Sequence, residues 1–308
     1  MNYRSIEDLN RSIVANLGKI PRGTDLVVGV PRSGLLAANL LALHLNLPLT
    51  DVEGFVNGRI LQSGNRFKKH AKPFDEYKRV VFLDDSLYSG SALRAVKEQV
   101  KGLYPDKEIY FGAVFVVPDG VSMLDFHFDV CKWPRLFEWN MMHSSSLENC
   151  CVDIDGVLCK DPTAEDNDDG PNYERFLANA VPLLHTTATI GYLVTNRLEK
   201  YRAQTEAWMA KHNVKYKHLI MRDLPDKEAR LKANDHGGFK ASMYLKYDCW
   251  LFIESSEIQA WQIANTSGRP VYCVDARKMI YPNVIRQTSG RVKKLLVRTL
   301  RTLRVLSA

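Results

Sequence analysis

Residues 80–91 read VVFLDDSLYSGS, an apolar run that ends in two aspartates and a Ser/Gly turn. The apolar run predicts a buried strand over residues 79–83, and the pattern after the turn predicts a helix over residues 91–103. Backbone N–H groups at the start of such a helix, together with the hydroxyls of the turn, can bind a phosphate group. Carboxylates cannot bind phosphate, but they accept hydrogen bonds from vicinal hydroxyls. The stretch therefore predicts a site for a phosphorylated sugar at the end of a strand.

Apolar runs alternate with helical patterns along the rest of the chain. Further strands are predicted over residues 25–30, 108–117, 150–154, 189–194, 217–221, 249–253 and 271–274. Further helices are predicted over residues 35–45, 199–211, 227–246 and 257–265. This alternation is typical of α/β proteins with mostly parallel sheets. We therefore expect two Rossmann-like domains, over residues 1–145 and 146–276, with the polar stretch 144–148 as the seam.

The composition limits the class of protein. The chain has 308 residues, of which 45% are hydrophobic and 25% charged. These values fit two soluble domains and exclude a disordered or multi-spanning membrane protein. The six cysteines form no C-x-x-C pair, which disfavours a disulfide scaffold and a zinc site. The polar N-terminus and the lack of a long apolar run lead us to expect a cytoplasmic protein.

The positive charge is concentrated in the tail, residues 277–308. The net charge is +7, and residues 276–308 contain nine Lys and Arg but no Asp or Glu. Over residues 291–306, a helical projection places leucines on one face and cations on the rest. This pattern predicts an amphipathic helix and resembles interfacial membrane anchors. Docking on another subunit or on nucleic acid fits the same pattern. A leucine stripe has no role on nucleic acid, so we expect a membrane-surface partner and no nucleic acid.

The aspartate pair and its turn resemble the motif with which type I phosphoribosyltransferases bind phosphoribosyl pyrophosphate (PRPP). A second match, GVPRSG at residues 29–34, follows the first strand, where that family has its pyrophosphate loop. The PRPP-binding residues implied by these two motifs are Arg32, Ser33, Gly34, Asp84, Asp85, Ser86, Tyr88, Ser89, Gly90 and Ser91. The resemblance assigns Asp84 and Asp85 to the ribose hydroxyls and Arg32 to the leaving pyrophosphate, which carries Mg²⁺. It also implies the type I phosphoribosyltransferase fold for the first domain.

Two further segments complete the expected site of the first domain. A basic loop at residues 57–78 lies where the family has a lid that closes over PRPP. Its cations are Arg59, Arg66, Lys68 and Lys69. The aromatic and polar segment 131–140 is the expected acceptor site. Its candidate residues are Trp133, Arg135, Glu138 and Trp139. Packing between the domains explains these aromatics nearly as well. Three carboxylates remain alternatives for the base that deprotonates the acceptor, namely Asp84, Asp85 and Glu138.

Residues 151–158 read CVDIDGVL, a second strand that ends in carboxylates. Alternation along an extended strand places Asp153 and Asp155 on the same side, so that they can share a cation and a substrate. The stretch resembles the first motif, D-x-D-G-[TV], of the haloacid dehalogenase (HAD) superfamily of phosphatases. This resemblance implies that Asp153 attacks phosphorus and that Asp155 protonates the leaving alkoxide and then activates water.

The later HAD motifs are matched in order. The resemblance implies that Thr195 binds the phosphoryl oxygens and that Lys240 neutralises the aspartyl-phosphate. It also implies that Glu254 holds Mg²⁺ together with the Asp153 side chain and the Asp155 backbone carbonyl.

The match to the HAD superfamily departs in two places. The last motif reads Glu-Ser-Ser where the family often has two acidic residues, which leaves Glu257 as a substitute ligand. Spacing also leaves Lys232 as an alternative to Lys240. Only the short segment 160–184 separates the first two motifs, so we expect a HAD fold with a minimal cap and an open cleft.

The combination of the two resemblances suggests a reaction sequence. Transfer from PRPP leaves a 5-phosphate on the product, and the second domain removes phosphates. The arrangement resembles bacterial glycan phosphoribosyltransferase–phosphatase proteins, which install ribofuranose in O-antigens and capsules. It implies a lipid-linked glycan acceptor and a peripheral location on the inner face of the cytoplasmic membrane. Two alternatives stay open: a nucleobase phosphoribosyltransferase fused to a nucleotidase, and a PRPP-sensing regulator. The sequence leaves the oligomeric state open, with a homodimer as one option.

Overall fold

The computed structural model describes residues 1–61, 64 and 72–283. Arg66, Lys68 and Lys69 of the expected lid, and the expected amphipathic helix over residues 291–306, lie outside the described residues. The chain divides into two units, and the division falls between Asn140 and Met141 in the sequence. The seam expected from the sequence, between residues 145 and 146, lies close to this division. No helix of the described residues is long and apolar enough to cross a membrane.

The first unit contains a five-stranded parallel sheet in the order β3-β2-β4-β5-β6 and a separate parallel pair, β1 with β7. Its strands are β1 (Asn2–Arg4), β2 (Leu26–Gly29), β3 (Leu49–Asp51), β4 (Arg79–Leu87), β5 (Glu108–Val116), β6 (Phe126–Val130) and β7 (Arg135–Phe137). Its helices are α1 (Ile6–Ala15), α2 (Gly34–Leu45), α3 (Val52–Val56) and α4 (Ser91–Val100). The α/β class and the parallel sheet expected from the sequence are confirmed.

Apolar side chains on both faces of this sheet fix the central strands. Val27 and Val81 belong to a core cluster with residues of α1 and α2. Their strand neighbours Val28 and Phe82 belong to another cluster, with residues of α3 and α4. Because successive side chains of a strand point to opposite faces, β2 and β4 are covered on both sides. Polar residues at their carboxyl ends are therefore left at one edge of the sheet.

The second unit contains a six-stranded sheet in the order β10-β9-β8-β11-β12-β13, in which only the β12–β13 pairing is antiparallel. Its strands are β8 (Cys150–Val152), β9 (Ile190–Leu198), β10 (Tyr216–Arg222), β11 (Leu251–Glu254), β12 (Val271–Cys273) and β13 (Lys278–Ile280). Its helices are α5 (Pro171–Asn179), α6 (Arg202–Lys211), α7 (Lys227–Ala233), α8 (His236–Lys246) and α9 (Glu257–Ser267).

Strand register brings the polar residues of the second unit together. Val152 of β8 pairs with Leu193 of β9 on one side and with Ile253 of β11 on the other. Since all three strands are parallel, their carboxyl ends lie at one edge of the sheet. A buried cluster that includes Phe252 packs beneath α8 and α9 and fixes this register.

Several predicted boundaries are wrong. The strand predicted to end at residue 83 continues to Leu87, so the aspartate pair lies within β4 rather than after it. The single helix predicted over residues 227–246 is two helices, α7 and α8. Asn234 takes a left-handed conformation with φ of 40°, which ends α7 and lets the chain turn before α8.

Candidate functional site

The two motifs of the first unit meet at one edge of its sheet. Gly29 of β2 pairs with Leu83 of β4, so the loop after β2 lies beside the aspartate pair. The Ser33 hydroxyl donates a hydrogen bond to Asp85 Oδ1 at 2.7 Å. A Cβ at Gly34 would lie 2.7 Å from Asp84 Oδ1, so this close approach requires glycine. The structure therefore brings together two motifs that are far apart in the sequence, since Ser33 and Asp85 are 52 residues apart.

The two aspartates differ in their surroundings. Asp85 is only 2% exposed, and besides Ser33 it accepts a hydrogen bond from Trp139 Nε1 at 2.8 Å. Asp84 is half-buried, and burial together with the neighbouring Asp85 carboxylate raises the pKa of Asp84 to about 8. Asp85 is thus held by protein groups, whereas Asp84 carries the perturbed carboxyl that is suited to a ligand or a proton.

The turn after β4 has the features of an anion site. Gly90 has a φ of 72°, and an added Cβ would collide with Met123, so glycine is required there. Gly90 also precedes α4 as its N-cap and offers no side chain to cap it, while the Ser91 N–H donates to the Ser89 hydroxyl at 3.4 Å. The Ser89 and Ser91 hydroxyls lie 3.1 Å apart beside it. Two hydroxyls therefore lie beside the first backbone N–H groups of α4, the kind of groups that bind a phosphate.

Three other predicted PRPP ligands lie on separate segments of the first unit. Arg32 is exposed on the loop after β2, and Ser86 is half-buried in β4. Arg59 lies 3.6 Å from Asp51 in an ion pair at the surface. Surface ion pairs of this kind are weak, so Arg59 can exchange Asp51 for another anion.

The predicted acceptor residues separate into two groups. Tyr88 and Trp133 place their rings 5.5 Å apart, with the Arg135 guanidinium 5.6 Å from the Tyr88 ring. Both rings are about half exposed, so they form an accessible aromatic surface beside the phosphate turn. Glu138 and Trp139 form the second group, and each makes a hydrogen bond within the first unit. Glu138 accepts a hydrogen bond from the Ile6 N–H at the start of α1.

We expect Trp139→Phe to destabilise the first unit by about 1–3 kcal/mol, because it leaves one oxygen of the buried Asp85 carboxylate without its donor. The phenyl ring can retain the stacking that Trp139 makes with Phe137, with centroids 4.9 Å apart. Urea denaturation measures the change. Trp133→Phe, at a half-exposed ring, is the matched control and should cost much less. Equal losses in the two variants would show that the bond to Asp85 adds nothing.

A buried ionic cluster forms the centre of the second unit. Lys240 Nζ donates to Asp153 Oδ2 and to Glu254 Oε2, each at 2.6 Å, and to Gln259 Oε1 at 3.0 Å. Burial lowers the pKa of Lys240, but the two carboxylates outweigh burial and raise it, so this lysine is charged. Burial also raises the pKa of Asp153, against the opposing effect of Lys240. The sequence left Lys232 and Lys240 as alternatives for the lysine of this site. Lys232 is exposed, whereas Lys240 is buried against the two carboxylates.

Asp155 is bound by a residue to which the sequence assigned no role. Arg197 Nη2 donates to Asp155 Oδ1 at 2.6 Å, and Arg197 Nε donates to Oδ2 at 3.1 Å. Arg197 is 1% exposed. Burial lowers its pKa, but the Asp155 carboxylate outweighs burial and raises it. Thr195 is buried beside this pair, and its Oγ accepts a hydrogen bond from the Arg197 N–H at 3.2 Å. The bidentate pair fixes the orientation of the Asp155 carboxylate.

A cleft of about 250 Å³ opens above these groups. The predicted residues that line it are Asp153, Asp155, Thr195 and Lys240. The other charged or titratable residues that line it are Asp161, Tyr173, Arg197, Arg230, His236 and Asp275. Burial, with the charges of Asp155 and Asp153, raises the pKa of Asp161 to about 6. A Cβ at Gly156 would approach Asp161 Oδ2 to 2.6 Å, so the carboxylate lies directly against that turn.

The chemistry of the donor set fits Mg²⁺, which prefers oxygen ligands. The Ser255 hydroxyl donates to the Asp155 carbonyl at 3.3 Å and lies 3.5 Å from Glu254 Oε1, so both oxygens lie around this hydroxyl. No group of three or more metal-ligating side chains is preformed within the described part of the chain, since Lys240 lies between Asp153 and Glu254. Glu257, the alternative ligand, pairs with Lys278 at 2.6 Å in this conformation.

Comparison with known proteins identifies the first unit. Residues 2–145, nearly half of the chain, match the family model described as Phosphoribosyl transferase domain. The first unit is therefore a phosphoribosyltransferase domain, as its motifs predicted. The comparison with curated proteins found no match.

Solved structures similar to this chain include two purine-family enzymes. Xanthine-guanine-hypoxanthine phosphoribosyltransferase of Helicobacter pylori is 18% identical, with a TM-score of 0.34 over 45% of this chain and 91% of that one. A purine phosphoribosyltransferase from Pyrococcus horikoshii is 25% identical, with a TM-score of 0.34 over 45% of this chain and 92% of that one.

Proposed function

We propose that this protein transfers a 5-phosphoribosyl group from PRPP to a glycan and then removes the 5-phosphate, leaving ribofuranose on the acceptor. The observation that carries the proposal is the presence, in one chain, of a phosphoribosyltransferase domain and of the buried Lys240–Asp153 cluster at the floor of a cleft. The first activity creates a phosphomonoester, and the second site has the groups that hydrolyse one. The acceptor class is bacterial surface polysaccharide, either O-antigen or capsule.

In the first unit, positioning and charge neutralisation do most of the work. The Ser89–Gly90–Ser91 turn binds the 5-phosphate, and the half-buried Asp84 accepts hydrogen bonds from the ribose hydroxyls. Asp85 has a positioning role, since it ties the loop of Ser33 to β4. Arg32 binds the pyrophosphate as it leaves C1 with the electron pair of the broken bond. Magnesium supplies charge neutralisation when it is bound with PRPP.

In the second unit, Asp153 attacks phosphorus and the sugar oxygen leaves. Asp155 gives a proton to that oxygen and then takes one from the water that hydrolyses the aspartyl-phosphate. Lys240 balances the charge of the intermediate, and Thr195 binds its oxygens. The bidentate bond from Arg197 keeps the Asp155 carboxylate in one orientation for both proton transfers. Oxygens of Asp153, Glu254 and the Asp155 carbonyl are the proposed magnesium ligands, and the ion would neutralise charge at the phosphoryl group.

The proposed acceptor is lipid-linked, and the proposed location is the inner face of the cytoplasmic membrane. The cationic residues of the tail would be attracted to anionic lipid, and its leucines would enter the interface.

Mass spectrometry of an acceptor panel tests the proposal. The full-length protein is incubated with PRPP, Mg²⁺ and lipid-linked or synthetic glycans, and the expected product carries one added pentose without phosphate. Asp84→Asn in the same assay should reduce the transfer rate by about tenfold or more, because an amide can neither carry the negative charge of this carboxyl group nor exchange its proton. The proposal fails if no glycan of the panel gains a pentose.

A second candidate function is phosphoribosyl transfer to a nucleobase, followed by nucleotide hydrolysis. The half-exposed Tyr88–Trp133 ring pair favours it, because a planar base stacks on aromatic faces as well as a sugar does. PRPP-dependent consumption of a purine or pyrimidine would favour this function over glycan transfer.

A further inference from the structure

One arginine of the cleft is buried without an acidic partner. Lys240 and Arg197 are each paired with carboxylates, as described above. Arg230, on α7, is only 9% exposed, and no ion pair joins it to a carboxylate within the described residues. Its Nη1 donates to the Asn196 carbonyl at 3.2 Å, and its Nη2 donates to Asn167 Oδ1 at 3.3 Å. Its guanidinium also interacts with the Tyr173 hydroxyl, but its Nε is buried and has no hydrogen-bond partner in the described part of the protein.

Asn196 provides the complementary unpaired group. Its Nδ2 donates to Gln259 Oε1 at 3.3 Å, while its Oδ1 is buried without a donor among the described residues. Asn196 follows Thr195, and both line the cleft with Arg230. A donor and an acceptor that both lack partners therefore belong to two residues joined by a hydrogen bond, beside the proposed phosphoryl site.

The chemistry of these two atoms selects the kind of group that can satisfy them. A buried polar atom without a partner costs about 1–3 kcal/mol, so a ligand that pairs with both gains affinity. Phosphate offers only acceptors and would leave Asn196 Oδ1 unpaired. A hydroxyl both donates and accepts, so adjacent hydroxyls of a sugar ring can bond to both residues. Both atoms are covered in this conformation, so contact with the ring requires a rotation of the Asn196 and Arg230 side chains.

We infer that Asn196 and Arg230 form a subsite for the ring hydroxyls of the phosphosugar whose phosphate is removed at Asp153. The inference rests on the proposed phosphatase function of the second unit and adds its substrate class, a ribofuranosyl 5-phosphate with free ring hydroxyls. Asn196 accepts from one hydroxyl, and Arg230 Nε donates to the same or the adjacent oxygen. The subsite makes the cleft selective for a sugar over a simple phosphomonoester.

Two matched esters test the subsite. Methyl ribofuranoside 5-phosphate carries the ring hydroxyls, and tetrahydrofurfuryl phosphate has the same ring and phosphate arm without them. Calorimetry measures the binding of both esters to the full-length Asp153→Asn protein, in which turnover is blocked. We expect the hydroxylated ester to bind about tenfold more tightly or better.

Arg230→Lys, added to the Asp153→Asn protein, keeps the positive charge but removes the Nε–H group. The preference for the hydroxylated ester should then fall to about twofold or less. The matched control is Arg202→Lys, at an arginine of α6 that pairs with Glu199 and Glu206 outside the cleft. It should retain the preference.

The subsite is disproved if the Asp153→Asn protein binds both esters equally, or if Arg230→Lys keeps the full preference. The phosphatase function is judged separately, by phosphate release from the hydroxylated ester in the wild-type protein. Binding preference without any release would overturn the proposed phosphatase function but support the hydroxyl subsite.

Discussion

Lys240→Met is expected to stop phosphate release and to destabilise the second unit by about 3–5 kcal/mol. The substitution leaves the carboxylates of Asp153 and Glu254 buried and close together, without the ammonium that lies 2.6 Å from each. Urea denaturation followed by circular dichroism measures the loss. The matched control is Lys232→Met, at an exposed lysine of α7, which should change stability by less than about 0.5 kcal/mol.

The pH dependence of this loss identifies its cause. Burial, together with Asp153, already raises the pKa of Glu254 to about 7 in the intact cluster. A carboxyl whose pKa is higher in the folded state destabilises the fold as pH rises through the range between its unfolded and folded values. The loss in Lys240→Met should therefore be smaller at pH 5 than at pH 8. If the variant does not fold, Lys240→Met with Glu254→Gln removes one charge and should recover part of the stability. If the loss of stability does not vary with pH, its cause is altered packing and not the uncompensated carboxylates.

Asp153→Asn is expected to lower phosphate release by at least about a thousandfold, because the amide cannot form the aspartyl-phosphate. Lys240 keeps its bond to Glu254 in this variant, so the second unit should stay folded. With PRPP and a glycan acceptor, the variant should accumulate product that still carries the phosphate. Mass spectrometry distinguishes the two products by the mass of one phosphate group.

The control for this variant is Asp248→Asn, at an exposed carboxylate that pairs with Arg269 at the surface. It should release phosphate at the wild-type rate. A product free of phosphate in the Asp153→Asn reaction would contradict a role for Asp153 as the nucleophile.

The sequence predicted the central strands well because their signal is local. Buried strands such as β2, β4 and β5 are continuous apolar runs, and such runs are visible without knowledge of their partners. The short strands β1, β3, β6, β7 and β13 were not predicted. Strands β1 and β7 pair with each other although they lie far apart in the sequence, as Asn2 and Arg135 show. No local sequence pattern predicts such a pairing.

The candidate sites were predicted where a residue belongs to a motif and missed where its role depends on a distant partner. Arg197 lies two residues after Thr195, but only the fold places its guanidinium against Asp155. Trp139 was predicted only as an acceptor residue, and no pattern in the sequence indicates that its indole N–H donates to Asp85. Lys232 and Lys240 belong to one predicted helix, and the sequence did not distinguish between them. The break at Asn234 separates them, and Lys240 alone reaches the carboxylates.

The position of β8 in its sheet has a consequence for biosynthesis. This strand is central, yet both of its neighbours follow it in the chain, with β9 beginning at Ile190 and β11 ending at Glu254. In a nascent polypeptide β8 lacks one of its two neighbours until residue 254 has left the ribosome, so we expect the sheet of the second unit to be completed late. Fragments that stop before Glu254 should be captured by chaperones or degraded, whereas a fragment that ends at Asn140 can fold while translation continues.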